Sequence, residues 1–147
     1  MTSTVENKDL VRRFVRAGND RDFDALGAII APDVVRHCPA TPDVDVRSLE
    51  EFRRFLELDA ATFPDNRVTI HELVAEGDLV AFWATYAGTQ EGPMGPFPPS
   101  GRRMEVEFGG VFRIENGKIA HVSLTWDNLS ALTQLGHFPP SGTGSAE

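Results

Sequence analysis

A chain of 147 residues with 41% apolar and 24% charged residues has the size and composition of one soluble globular domain. Fourteen basic against 22 acidic residues give a net charge of −8, which argues against nucleic acid as a partner, because phosphate binding needs a basic patch. No apolar run approaches the roughly 20 residues of a membrane span, and the polar N-terminus lacks a signal-peptide core, so no membrane association and a cytoplasmic location are expected. The one cysteine, Cys38, fits a reducing compartment and reads as a small core residue.

Ser3-Thr-Val-Glu6 forms a capping box, and Val11, Phe14, Val15 and Gly18 follow at helical spacing, so a first amphipathic helix is expected to end near Gly18-Asn19. Asp20 or Asp22 can cap a second, shorter helix that carries Phe23, Leu26, Ile29 and Ile30 and stops before Pro32. Asp33 to Cys38 reads as a short strand, and Pro39 to Val46 as a loop. Ser48-Leu-Glu-Glu51 is a second capping box opening the longest helix, whose apolar stripe is Phe52, Phe55, Leu56, Ala60 and Phe63. Asp59 falls on that stripe, where a carboxylate is costly unless it is paired, for instance with Arg67, or faces a cavity.

The second half is strand-like. Val68 to Glu76 is expected to pair with Leu79 to Gln90 across Glu76-Gly77-Asp78, and Arg103 to Glu115 with Lys118 to Asp127 across Asn116-Gly117. Between these hairpins, the proline-rich segment Glu91 to Gly101 is a loop of the kind that rims a pocket. A short helix, Leu129 to Leu135, follows the last strand. The chain is thus expected to hold a single domain over residues 1–136 and a flexible tail over 137–147. Helices followed by antiparallel hairpins imply an α+β fold in which a curved antiparallel sheet wraps around the N-terminal helices as a cone with one internal pocket.

Common cofactor signatures are missing: there is no glycine-rich nucleotide loop, no Cys-x-x-Cys and no His-Glu-x-x-His. The four histidines, His37, His71, His121 and His137, stand singly on different elements, so no metal site and no cofactor are expected. What remains is acid–base chemistry by carboxylates and histidine. Asp127, at a strand end beside Trp126, is a candidate general base; it is equally a candidate N-cap for the last helix, a role that Asn128 could fill instead. His37, next to the loop at Pro39, can act on a substrate or merely hydrogen-bond within the structure. Gln90 can present an amide at the pocket rim. Phe14, Phe63, Trp83, Met94, Phe108 and Trp126 are sufficient to line an aromatic pocket, although each taken singly fits the core.

Several segments resemble the SnoaL-like polyketide cyclases (ester cyclases), a family with the nuclear transport factor-like cone fold. They are Val34-Val-Arg-His37, Phe63-Pro-Asp65, Leu73-Val-Ala-Glu-Gly-Asp78, Ala87-Gly-Thr-Gln-Glu-Gly92, Pro99-Ser-Gly-Arg102, Gly110 to Ile119, and Trp126-Asp127 through Gly136. The resemblance runs from about Asn7 to Gly136. It implies a cofactor-free intramolecular aldol closure of a hydrophobic, polyketide-like substrate in secondary metabolism, with Asp127 as base and His37 as a pocket histidine orienting the substrate. Two departures stand out. Gln90 occupies the place of a histidine in the common Gly-Thr-His-x-Gly pattern, and the loop through Met94 is one residue longer than usual, which points to a changed substrate. Two other readings of the same pocket are open: epoxide hydrolysis or epoxide-opening cyclisation, which needs Asp59 and Asp127 to converge, and non-catalytic binding of a hydrophobic ligand. Leu79 to Tyr86 is apolar on both faces, so a homodimer or homotetramer is expected.

Overall fold

The structure is a computed structural model that describes residues 2–139. Its order is helix α1 (Thr4–Asn19), a 3₁₀ helix (Phe23–Ala28), β1 (Ile30–His37), α2 (Leu49–Thr62), β2 (Arg67–Glu76), β3 (Leu79–Thr89), β4 (Arg103–Glu115), β5 (Lys118–Trp126) and α3 (Asn128–Leu135). Of the tail expected from His137 onward, residues 140–147 lie outside the described residues.

Both capping boxes start helices. Ser3 accepts from the Glu6 amide at 3.1 Å while the Glu6 carboxylate accepts from the Ser3 amide at 2.9 Å. Ser48 likewise accepts from the Glu51 amide at 3.1 Å, but the Glu51 carboxylate reaches one residue further back, to the Arg47 amide at 2.7 Å. The second expected helix is a 3₁₀ helix that ends at Ala28, and β1 begins at Ile30, earlier than expected. Pro32 is tolerated inside β1 because the ladder is broken there, with a register shift between Ile30 and Val35.

The five strands form one sheet in the order β1-β5-β4-β3-β2. The pairs β2–β3, β3–β4 and β4–β5 are antiparallel, whereas β1 runs parallel to β5, so the sheet is mixed rather than wholly antiparallel. The parallel pair follows from the chain path: α2 and three strands separate β1 from β5, a connection too long for a hairpin.

Alternation decides which side chains meet the helices. Val80, Phe82 and Ala84 of β3, Phe112 and Ile114 of β4, and Ile119 and Val122 of β5 pack with Leu10 and Val11 of α1 and Phe52 of α2 in the main core. Phe14 meets Phe52 and Phe112 edge-on, with ring centres 5.7 and 5.8 Å apart. A second cluster of Phe63, Met104, Val106, Ala131 and Leu135 lies under α3, with Tyr86, Met94 and Trp126 partly buried against it.

Close backbone approach restricts β4 at Gly110: a side-chain carbon there would overlap the Ser123 carbonyl and lie 2.7 Å from the Leu124 Cα. Gly110→Ala is therefore expected to cost about 1–3 kcal/mol, read as a lower urea midpoint. An unchanged midpoint would contradict the packing described.

Candidate functional site

One end of the sheet gathers the candidate residues. There β1 delivers Arg36 and His37, Cys38 follows at the start of the next loop, β5 ends in Trp126, and that loop is tied to α3 by the Asn128 side chain, which donates to the Ala40 carbonyl at 3.2 Å. Asp127 is the N-cap of α3. Its Oδ1 accepts from the Ser130 amide at 3.2 Å, and its Oδ2 takes no hydrogen bond among the described residues. The cap role that Asn128 could have filled thus belongs to Asp127, and Asn128 instead accepts from the Trp126 indole at 3.3 Å.

Asp127 is exposed and stands in an open cleft of about 640 Å³ with Trp83, Glu105, Glu107, Gly109, Thr125, Trp126 and Ser130 among its lining. Trp83 lies across Gly109, where a Cβ would come within 2.6 Å of its ring, and keeps 46% of its surface exposed. Trp83, Gly109 and Thr125 are register partners on the outer face of the sheet, the side away from α1 and α2.

Alternation along β1 places His37 on the outer face too, exposed and opposite Ser123. The inward positions of this strand include Ile30, Val34 and Arg36. His37 therefore does not face the space between sheet and helices, where a substrate-orienting histidine was expected.

Inside the cone stands a different polar group. The Asp59 Oδ2 accepts from the Tyr86 hydroxyl at 2.8 Å and from the Asn66 side-chain amide at 3.2 Å, whereas Arg67, its expected partner, forms no hydrogen bond or ion pair with it among the described residues. The residue as a whole is half-buried, but its carboxyl group is enclosed between α2 and β3. That desolvation raises its pKa above the ordinary 3.8, opposed by the Tyr86 hydrogen bond and by the charges of Arg36 and Arg21. Burial and the neighbouring Asp59 push the Tyr86 hydroxyl far up, so it remains a donor. Arg36 is only 6% exposed, and burial lowers its pKa, offset in part by Cys38 and Asp59. Its guanidinium lies 4.2 Å from the centre of the Phe55 ring.

Gln90 is wholly buried and organises the loop that follows it. Its amide nitrogen donates to the carbonyls of Gly92 and Pro98 at 3.1 Å, and its oxygen meets Ser100 at 3.2 Å and His137 at 2.7 Å. The amide therefore holds the rim rather than presenting itself to a ligand. The same loop is seated on α2 by the Glu91 and Gly92 amides, which donate to the Thr62 carbonyl at 2.8 and 3.1 Å and so satisfy an end-of-helix acceptor.

The aromatic candidates divide by location. Phe14 and Phe108 belong to the main core, and Phe63 is buried edge-on to Tyr86 at 5.8 Å. Met94 is half-buried against the second cluster, while Trp83 and Trp126 line the cleft. Among the described residues no group of three His, Cys, Asp or Glu side chains is placed to hold a metal ion. No helix of the described residues is long and apolar enough to cross a membrane. Arg36 escapes a reading that looks for histidines and acids. The signal was available in β1, where an arginine stands in register with Val34 on an inward face.

The model of the SnoaL-like polyketide cyclases matches residues 8–135. The chain belongs to this family. Among solved structures, TsrD from Streptomyces laurentii superposes with a TM-score of 0.82 at 32% identity, covering 92% of this chain and 98% of that one. IdmH from Streptomyces antibioticus, a candidate polyketide cyclase, gives 0.77 at 31% identity over 88% of this chain and 98% of its own. An epoxide hydrolase of the LEH-like type from M. tuberculosis shares the fold, with a TM-score of 0.73 at 22% identity over 90% of each chain. No protein of curated function matches.

Because the fold holds a proton on Asp59 more tightly than the unfolded chain does, the sign of its linkage is fixed. Its ionisation costs stability as pH rises from the ordinary carboxylate range through the raised value. Asp59→Asn is expected to gain stability relative to the native protein over that window and to keep a constant advantage above it. A difference between the two urea midpoints that does not change with pH would contradict the enclosed carboxylate.

Proposed function

We propose that this SnoaL-like protein closes a ring in a hydrophobic, polyketide-like substrate by cofactor-independent acid–base chemistry of the aldol type, with Asp127 as the base. The observation that carries the reading is the carboxylate at the end of β5. One oxygen is fixed by the α3 cap, and the other takes no hydrogen bond among the described residues, in a cleft flanked by Trp83 and Trp126. The cap bond fixes the rotamer of the base, which is the positioning that proton transfer requires. The chemistry is undemanding for a single carboxylate. A carbon between two carbonyls loses its proton to Oδ2, the enolate carbon attacks a second carbonyl carbon, and the alkoxide formed there takes up a proton. Holding a flexible chain in the reactive fold can contribute about 7–11 kcal/mol.

The epoxide reading requires two carboxyl groups acting on one substrate. Asp59 and Asp127 share no hydrogen-bond partner among the described residues. Tyr86 and Trp126, their respective neighbours, pack on a common apolar cluster instead.

Asn is itself a good N-cap, so Asp127→Asn separates the base from the structural role. Deuterium exchange at C2 of ethyl 2-methylacetoacetate, followed by NMR, is expected to be accelerated by the native protein. In Asp127→Asn the protein-dependent rate should fall by at least about 100-fold. Native-like exchange by the folded variant would end the assignment.

The expected homo-oligomer is retained as part of this proposal. Val74, Trp83 and Val111 are exposed on the outer face of the sheet, at 64%, 46% and 38%, and association across that face would also roof the cleft over Asp127. Light scattering is expected to give a dimer or tetramer mass, and a monomer at all concentrations would contradict it.

A further inference from the structure

Ser130 carries a hydrogen-bond donor that the fold does not use. It lines the cleft and is the third residue of α3, where its backbone amide donates to the Asp127 Oδ1 at 3.2 Å. Its hydroxyl oxygen accepts from the Gln134 side-chain amide at 3.1 Å. A hydroxyl has one hydrogen to give, and that of Ser130 meets no acceptor among the described residues. Thr133, in the same helix, spends its own on the Leu129 carbonyl at 2.7 Å. A glutamate or glutamine at the third position would reach back to the N-cap amide, but a serine is too short to do so.

Gln134 holds this hydroxyl in place. β5 ends at Trp126, opposite Phe108, so the part of β4 before Phe108 has no strand beside it on that edge. The Gln134 side chain stands in for the missing strand: its oxygen accepts from the Glu105 amide at 2.7 Å, and its nitrogen donates to the Glu105 carbonyl at 3.1 Å. The same nitrogen reaches Ser130, so β4, Gln134, Ser130 and Asp127 form one hydrogen-bonded unit. Accepting a bond from Gln134 also makes the hydroxyl a stronger donor.

The charge around the cleft gives such a donor a task. Glu105, Glu107 and Asp127 belong to its lining, and no lysine, arginine or histidine does. Arg103, outside the lining, is engaged by Glu105 at 3.3 Å. Taking a proton from carbon puts negative charge on the neighbouring carbonyl oxygen, and this lining can meet that charge with neutral donors. The Trp126 indole is spent on Asn128. The Thr125 hydroxyl and the Trp83 indole also belong to the lining, but neither is bonded into the turn that holds the base. We infer that the Ser130 hydroxyl is the donor for the substrate oxygen on which charge develops, so that Asp127 and Ser130 act on one H–C–C=O unit. The carboxylate takes the proton, the C–H electron pair becomes the enolate, and Ser130 hydrogen-bonds the enolate oxygen while keeping its own proton. The inference deepens the proposed function and rests on Asp127 as the base. It requires of the substrate a free carbonyl next to the acidic carbon, turned toward α3.

The test is deuterium exchange at C2 of ethyl 2-methylacetoacetate, followed by NMR over a range of ester concentrations. The full chain is compared with Ser130→Ala, Ser130→Thr and Asp127→Asn. Ser130→Ala keeps the backbone amide that caps Asp127, so the base stays in place. Its kcat for exchange is expected to fall by about tenfold or more, since one oxyanion donor is removed. KM should change by less than about threefold, because the bond strengthens as charge develops. Ser130→Thr, which restores a hydroxyl, should recover most of the rate. Exchange that is lost in Asp127→Asn but native in Ser130→Ala overturns the inference and leaves the base assigned. A loss carried by KM alone, with kcat intact, overturns it too. Native-like exchange in Asp127→Asn, or none with the native chain, overturns the proposed function and the inference with it. Should Ser130→Ala not fold, Ser130→Cys decides, because a thiol is a weak donor. A reduced kcat at unchanged KM then supports the inference, and native exchange overturns it.

Discussion

The structure depends on the two-residue alternation of a strongly paired sheet. Once β4 is fixed between β3 and β5, Met104, Val106, Phe112 and Ile114 must face the helices, and Glu105, Glu107, Val111 and Arg113 must face away. The inward set cannot be left in water, so α1 and α2 cover one part of it and α3 the other. The same rule, applied to β1, turns Arg36 inward and His37 outward. An arginine, not a histidine, is therefore the cation that the interior contains.

Two carboxylates follow from this framework, in contrasting surroundings. Asp127 sits where β5 gives way to α3, bonded to a helix amide and open to the cleft. Asp59 sits on the inward stripe of α2, enclosed by Tyr86 and Asn66. Desolvation raises the pKa of the enclosed Asp59 carboxyl, whereas Asp127 stands exposed at the rim of the cleft. The Gln90 position shows how a family pattern can be reused. Its amide ties the loop carbonyls of Gly92 and Pro98 while its oxygen meets Ser100 and His137, so the residue that departs from the usual histidine acts on the architecture of the rim.

Much of the fold was legible because its signals are local. Ser3 and Ser48 start the long helices, Asn116-Gly117 turns the last hairpin, and β2 to β5 lie within a residue or so of the expected bounds. The parallel pairing of β1 with β5 was not legible, since it depends on packing between segments far apart in the chain. The site was less legible for a related reason. Asp59 could be singled out because an acid on an apolar stripe needs a partner, but the partners come from the turn before β2 and from β3, and spacing does not reveal which residues meet across a cone. Gln90 was read as exposed to ligand because it ends a strand beside a loop; only the folded chain shows that Gly92, Pro98 and Ser100 of that loop turn back onto it and that His137 reaches it from beyond α3.

Membership of the SnoaL-like family places this chain among cone-shaped proteins whose solved relatives include TsrD and IdmH. The account rests most heavily on where the acidic carbon of a substrate lies. A crystal structure of the protein with a bound, slowly reacting 1,3-dicarbonyl ligand tests this directly. The account predicts that the carbon between the carbonyls lies within proton-transfer reach of the free oxygen of Asp127. A ligand whose acidic carbon rests against another residue, with Asp127 still facing solvent, would contradict it.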